Sequence, residues 1–534
     1  MEFAVDQALK TYSGGLGFLA GSHMRSAFDE RQNLIGIGIL WKYGYYDQTR
    51  NPDNSMGVEF REKMYSFLQD TNVRFTINVA GRPVWVQVYY LDPKHFNTVP
   101  MFFMTTDVAG NDTEARSISY RLYDADSTLK VAQCMLLGLG GAKFLDQINY
   151  QPDVYHLNEA HAVSAAFHLY QTLGSAGAVR ERMVFTTHTP EDAGNDKHDI
   201  GFLDKLGFFG ELSLDTVREI TGITDSIFNH SLAALRLSRK ANGVSKLHGE
   251  VSRRMWGSYP NICEIIHVTN AQNNPYWADN QLEAARQSGD KTTIAARKKT
   301  IKQPLFNMVA DQAGKLFDPN VLTLVWARRF AAYKRPDLIT HDGERFRRLM
   351  NNRDYPLQII WAGKPYPSDE GAVRTFNHLY YLSHLYPRMA VLTGHELTLS
   401  KALKDGADLW LNTPIVPREA SGTSGMTAAM NGAINVSTND GWICEFARPT
   451  GPEQNSFIVP KAEIARIAAP PANGSDNPDS HDRDHLFQLL EEDILPMYYD
   501  RPADWQALQL RSMNDVNAYF TSARMVREYY EKVY

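Results

Sequence analysis

The chain has 534 residues, 43% of them hydrophobic and 22% charged, and a formal charge of −6. That is the balance of a folded globular protein long enough for two large domains, and it lacks the basic footprint that nucleic acid or an anionic membrane would require. The three cysteines, Cys134, Cys263 and Cys444, stand far apart and in no CxxC pair. That argues against a disulfide framework or a zinc site and points to a reducing cytoplasm. No run approaches the roughly 18 apolar residues of a membrane span, and Glu2 and Asp6 do not open a signal peptide.

Short β-rich apolar runs alternate with helical patterns, which predicts an α/β protein built on parallel sheets with crossover helices. In chain order the expected strands are Leu34–Leu40, Val84–Leu91, Val184–Thr187, Cys263–Val268, Val321–Trp326, Leu357–Trp361, Met389–Leu392 and Leu409–Leu411. Apolar residues recurring at three and four predict helices over Leu129–Leu145, Ala160–Leu173, Leu232–Ala241 and Leu397–Lys404. Between the strand-rich halves, Asn273 to Asp318 reads as charged helix, with Lys298, Lys299, Lys302 and Lys315 expected on solvent faces, and places a domain boundary near 270 to 320. Pro470 to Asp484 (PPANGSDNPDSHDRD) reads as a loop. The last segment, from Asp504, is helical and aromatic.

Several segments have the chemistry of binding sites. Tyr12 to Phe18 (YSGGLGF) runs into a helix, so its amides are placed to face an anion, although a tight turn alone would also call for the glycines. Asn158, Glu159 and His161 follow a short strand, and His188 follows another; strand ends are where open α/β sheets bind ligands, while a purely structural histidine would look the same. The segment 325–335 (VWARRFAAYKR) concentrates Arg328, Arg329, Lys334 and Arg335 after an apolar strand, and such cations either clamp phosphate oxygens or form a solvated face. Arg418 to Thr427 (REASGTSGMT) sets small residues ahead of a helix, a second anion cradle or a simple N-cap, with Glu419 able to accept hydroxyl groups. No carboxylate and histidine stand at metal-ligand spacing with a third ligand, so no metal is expected.

Taken together, YSGGLGFLAGSH, HLNEAHA, VFTTHTPEDAG, VTNAQ, ARRFAAYKR, DLWLNTPIVPREASGTSGM and NGAINVSTNDGW span residues 12–442. In content and order they resemble the α-glucan (glycogen, starch, maltodextrin) phosphorylases. The resemblance implies a GT-B fold: two Rossmann-like domains, 1–270 on the glucan side and 271–515 on the phosphate side, facing across a cleft, with a helix over 516–534 returning to the first. It makes Gly14 and Gly15 a loop over the anion and sets His188 beside the sugar near the reacting centre. Asn158, Glu159, His161, Asn270 and Tyr333 join the substrate contacts, Arg329 and Lys334 hold the transferable phosphate, and Glu419, Ser421 and Gly422 hold sugar hydroxyls. Arg328, Gly422, Thr423 and position 427 would face the cofactor or donor. The family cofactor is pyridoxal phosphate, the partners are an α-glucan and phosphate or a sugar phosphate, and the analogy extends to a homodimer.

Two departures qualify this. Where the family has the lysine that forms the imine with pyridoxal phosphate, this chain has Thr427, and a hydroxyl makes no imine; Lys364, Lys401 and Lys404 do not stand in the motif. Counting seven residues on from Glu419 also brings Thr427 to the second position of the E-x₇-E pattern of nucleotide-sugar transferases. A cofactor-independent GT-B transferase with a nucleotide-diphosphate sugar donor is therefore the rival reading, and an inactive glucan-binding homologue a third. In addition, the family has a complete first strand ahead of the region that reads MEFAVDQALK here, so that strand is expected to be shortened or to lie upstream.

Overall fold

The computed structural model describes residues 1–460 and 478–534. It is a mixed α/β protein that divides into two compact units, one formed by Met1–Tyr46, Phe60–Asn270 and Ser522–Tyr534 and the other by Asp47–Glu59 and Ala271–Thr521.

The first unit holds two four-stranded sheets. In one, Gly36–Ile39 lies at the edge, parallel to Met101–Thr105, and the antiparallel strands Arg82–Leu91 and Gln69–Val79 follow. The other is wholly parallel, in the order Glu264–His267, Lys240–Gly243, Met183–Thr186, Tyr155–Asn158. The expected helix over Leu129–Leu145 is present from Ser127 to Gln147, with a wider turn at Leu136–Gly140. Its glycines let it approach its neighbour, since a Cβ on Gly138 would sit 2.2 Å from Ser164 Oγ. The expected Ala160–Leu173 helix is a single turn at Ala160–Ala162 followed by Ala165–Leu173.

The Leu232–Ala241 expectation is corrected. The helix is His230–Arg236, and Lys240 and Ala241 belong to the Lys240–Gly243 strand, where Ala241 pairs with both Phe185 and Ile265. The segment Lys240–Gly243 carries no apolar run, and its pairing on both sides is what makes it a strand.

The second unit is built on a six-stranded, all-parallel sheet in the order Met389–Leu392, Leu357–Ala362, Leu322–Ala327, Leu409–Asn412, Ile434–Thr438, Phe457–Val459. Its strands are buried along nearly their whole length and mostly apolar, because helices cover both faces. Trp326, Trp361 and Trp410 are fully buried in the two cores that result.

The lysine expectation fails for most of the Asn273–Asp318 region. Lys298 and Lys302 are buried in the 23-residue helix Lys291–Ala313. The Lys298 amine donates to the Asp405 and Asn431 carbonyls, and Lys302 pairs with Asp408. Lys315, half-buried, donates to the carbonyls of Ser383, Tyr386 and Met389, and Lys299 is exposed. A lysine stem packs well in a core when its amine finds carbonyls, which charge spacing does not reveal. The Pro470–Asp484 loop is likewise corrected in part: residues 470–477 lie outside the described residues, and the remainder starts the helix Pro478–Gln488. Buried Arg335 draws Asp479 and Asp482 of that helix to 2.8 and 2.5 Å.

Candidate functional site

In the first unit, Asn158 ends a strand and Glu159 turns the chain with a φ of +66°. The Glu159 carboxylate accepts from the amide of His188 and, at 3.1 Å, from Thr189 Oγ1, which ties the ends of two neighbouring strands together. Burial pushes the Glu159 carboxyl up to about 7. His188 Nε2 stands 2.7 Å from Asn158 Oδ1, so this nitrogen carries the proton and Nδ1 is left with its lone pair. Desolvation lowers the His188 pKa to about 3, which keeps the ring neutral. Asn270 is buried, and its Oδ1 has no hydrogen-bond partner among the described residues; His161 Nδ1 is in the same condition. Gly14 and Gly15 open the Gly15–Asp29 helix. Their loop is already in contact with an anion, because Glu2 Oε2 accepts from the amides of Ser13 and Gly14 at 2.6 and 3.2 Å.

The second unit gathers its polar groups at the carboxyl ends of parallel strands. Arg328 follows Leu322–Ala327 directly, and Lys334 lies in a short turn at Ala332–Lys334. Both point at one oxygen: Glu419 Oε2 accepts from Arg328 Nη1 at 3.0 Å and from Lys334 Nζ at 2.6 Å. Burial alone would raise the Glu419 carboxyl, but Lys334 and Arg328 outweigh it and hold it down at about 2. Arg329 is exposed, Tyr333 half-buried, and the Lys334 amine is 4.7 Å from the Tyr333 ring centre. Ser421 Oγ and Arg328 Nε are buried without a partner among the described residues. Gly422 adopts a φ of +94° and leads into the Thr423–Met430 helix, and a Cβ there would meet the Trp442 ring at 3.2 Å.

The sequence reading gave no role to Asp440. Its carboxylate accepts from the amides of Glu419 and Gly441 at 2.8 and 2.9 Å, and so fixes the loop that carries Glu419. Burial, with the charge of Glu419 adding, pushes Asp440 up to about 7. The signal was an acid followed by glycine just after the Ile434–Thr438 strand.

Thr427 is fully buried, and its hydroxyl donates to Ser424 O at 3.0 Å, within its own helix. Among the other lysines considered, Lys364 pairs with Glu396 at 2.9 Å, Lys401 donates to Trp277 O at 3.1 Å, and the Lys404 amine sits 3.6 Å from the Trp277 ring centre. The residues therefore do not fit imine-bound pyridoxal phosphate. Ser421 Oγ, Arg328 Nε and the start of the Thr423–Met430 helix do fit a phosphoryl group. Among the described residues no cluster of His, Cys, Asp and Glu could hold a metal ion, and no helix is long and apolar enough to cross a membrane.

The chain is similar to known carbohydrate phosphorylases. The carbohydrate phosphorylase family model matches residues 223–532. An uncharacterised protein of Methanocaldococcus jannaschii is 42% identical over all of this chain and 98% of its own length. The maltodextrin phosphorylase of Thermococcus litoralis is 30% identical and the glycogen phosphorylase of Mycobacterium tuberculosis 29%, each over all of this chain and 70% of the relative. The chain belongs to the carbohydrate phosphorylase family.

Proposed function

We propose that this protein is a retaining hexosyltransferase of the α-glucan phosphorylase type, which transfers glucose between an α-1,4-glucan and phosphate with glucose 1-phosphate as the product. The GT-B arrangement, a cytoplasmic location and a homodimeric state belong to the same reading. The observation that carries it is the convergence of Arg328 and Lys334 on Glu419 beside the Gly422 turn.

In this reading Arg329 and Lys334 neutralise the negative charge of the phosphate oxygens with Arg328 beside them, a charge-assisted interaction strongest where water is excluded. Glu419, relieved of one cation, accepts sugar hydroxyls with its oxygens. Neutral His188 offers Nδ1 to a hydroxyl, and Asn270 Oδ1 and Ser421 Oγ gain the partners they lack. Asp440 holds the Glu419 loop in place through the two amide bonds.

One observation favours a second reading. With Thr427 in place of an imine-forming lysine, and its hydroxyl turned into its helix, the same cations are suited to the diphosphate of a nucleotide sugar. Two measurements separate the readings. Release of glucose 1-phosphate from maltodextrin and phosphate supports the first, and its absence at saturating phosphate refutes it. A thermal shift with UDP-, ADP- or GDP-glucose supports the second, because a ligand at about 100 times its Kd adds about 2.7 kcal/mol. Failure of both leaves the inactive, glucan-binding homologue.

A further inference from the structure

The second unit buries another cation, Lys404. It lies on the Leu397–Gly406 helix, is 2% exposed, and holds its amine 3.6 Å from the ring centre of Trp277, itself 1% exposed. Burial, with the charge of Lys401 adding, depresses its pKa well below the usual lysine range. The Leu397–Gly406 helix packs on the Thr423–Met430 helix, and one buried amine fixes their register. Lys298 Nζ donates to Asp405 O at 2.6 Å and to Asn431 O at 2.7 Å, which brings the end of the Lys404 helix level with the end of the Thr427 helix. The Lys404 backbone therefore stands about one turn, or about 5.4 Å, further along than Thr427. Helical side chains lean back toward the N-terminus of their own helix. Both helices begin at the carboxyl edge of the parallel sheet, so the Lys404 side chain leans toward that edge and reaches the level of Thr427.

The groups around this amine are drawn together tightly. Asn431 Nδ2 donates to Trp277 O at 2.8 Å and to Thr427 O at 3.0 Å, and so pins the Asn274–Trp277 turn to the Thr427 helix. Lys401 Nζ donates to the same Trp277 carbonyl at 3.1 Å. His395 is buried just past the carboxyl end of Met389–Leu392, and burial and the Lys404 charge lower its pKa to about 3. Ser400, one turn ahead of Lys404 on the same face of the helix, is buried, and its Oγ has no partner among the described residues. A flat indole and an orphaned hydroxyl are groups that an aromatic ligand would use. A ring stacked on Trp277, however, would place its atoms about 3.5–4.0 Å above the indole, and the Lys404 amine already holds that layer.

We propose that Lys404 closes this part of the second unit to pyridoxal phosphate: its side chain fills, on the Trp277 face and level with Thr427, the space that the ring of the cofactor would need. Two residues thus make one exchange. The chain has no imine-forming amine at position 427, and a lysine from the facing helix takes up the room instead. Without an occupant that space would be a cavity, which packed cores avoid. The phosphoryl-binding groups, Ser421 Oγ, Arg328 Nε and the start of the Thr423–Met430 helix, are thereby left to the substrate. This rests on the α-glucan phosphorylase reading, from which the cofactor comes.

The test is uptake of pyridoxal phosphate by the full chain, read in the absence of glucan and phosphate as the cofactor absorbance that stays with the protein through gel filtration. The wild type should retain none, and borohydride should fix none to it. Lys404→Ala removes the occluding side chain and should tighten binding by at least about tenfold. Lys404→Met keeps a long side chain in place without the charge, and should exclude the cofactor as the wild type does. Retention of one equivalent by the wild type overturns the proposal, as does borohydride fixation to Lys404. It is equally overturned if Lys404→Ala binds no better than the wild type, or if Lys404→Met admits the cofactor. The wild-type measurement depends on no variant folding and is decisive alone. Because no substrate is present, a failure to release glucose 1-phosphate, which refutes the phosphorylase reading, leaves this result unchanged.

Discussion

Replacing Glu419 with glutamine removes one charge while keeping the shape of the side chain, and it strikes a buried carboxylate held by two cations. The carboxylate is 9% exposed and neutralises two cations that are themselves nearly buried. Its pKa falls from 4.5 to about 2 on folding, which corresponds to about 3 kcal/mol of stability. Breaking a buried ion pair from one side costs a similar amount, about 3–5 kcal/mol, because the partner charges stay behind. The sign follows from the depressed pKa: the stabilisation is complete above about 4.5 and disappears as the pH falls through about 2. Urea unfolding, followed by tryptophan fluorescence, should therefore place Glu419→Gln about 3 kcal/mol below the wild type at pH 7. The gap should narrow steadily below pH 4.5. Equal stability at pH 7, or a gap that stays constant down to pH 2.5, would refute the reasoning.

Three more outcomes are expected. Lys302→Met strands the Asp408 carboxylate, whose partner amine is 1% exposed, and should cost about 3–5 kcal/mol; adding Asp408→Leu should recover stability, and a double variant no better than the single would contradict the pairing. Gly441→Ala would bring a Cβ to 2.4 Å from Ser421 O at a φ of +66°. It should therefore lower stability by about 2 kcal/mol or more and cut activity by displacing the Glu419 loop, whereas a Tm within a degree of wild type would show that loop to be pliable. Asp440, at about 7 when folded against 3.8 in its ordinary state, stabilises when protonated, so its contribution is full below about 3.8 and is lost as pH rises through about 7. The stability of Asp440→Asn relative to wild type should accordingly climb between pH 4 and 8 on unfolding curves, and a flat difference over that range would rule out the titration.

The sequence by itself determined the elements whose patterning is local. The segments Leu357–Trp361 and Met389–Leu392 are strands because short, mostly apolar runs fit a sheet covered on both faces, and the motif set from Tyr12 to Trp442 placed the chain in its family. It also exposed Thr427, since the identity of one residue within a motif needs no folding to be read. Only the tertiary structure decided how charges are used. Arg328 and Lys334 stand 91 and 85 positions from Glu419 in the chain and meet it because parallel strands bring their carboxyl ends together. Lys298 and Lys302 look like solvent-facing residues in a helix, yet their amines find carbonyls and a carboxylate in the core. Asp440 holds backbone amides that no pattern of side chains records. The edge strands Gly36–Ile39 and Tyr155–Asn158 of the first unit, each paired on one side only among the described residues, are visible only once both sheets are formed, because strand pairing is a long-range choice that local hydrophobicity does not encode.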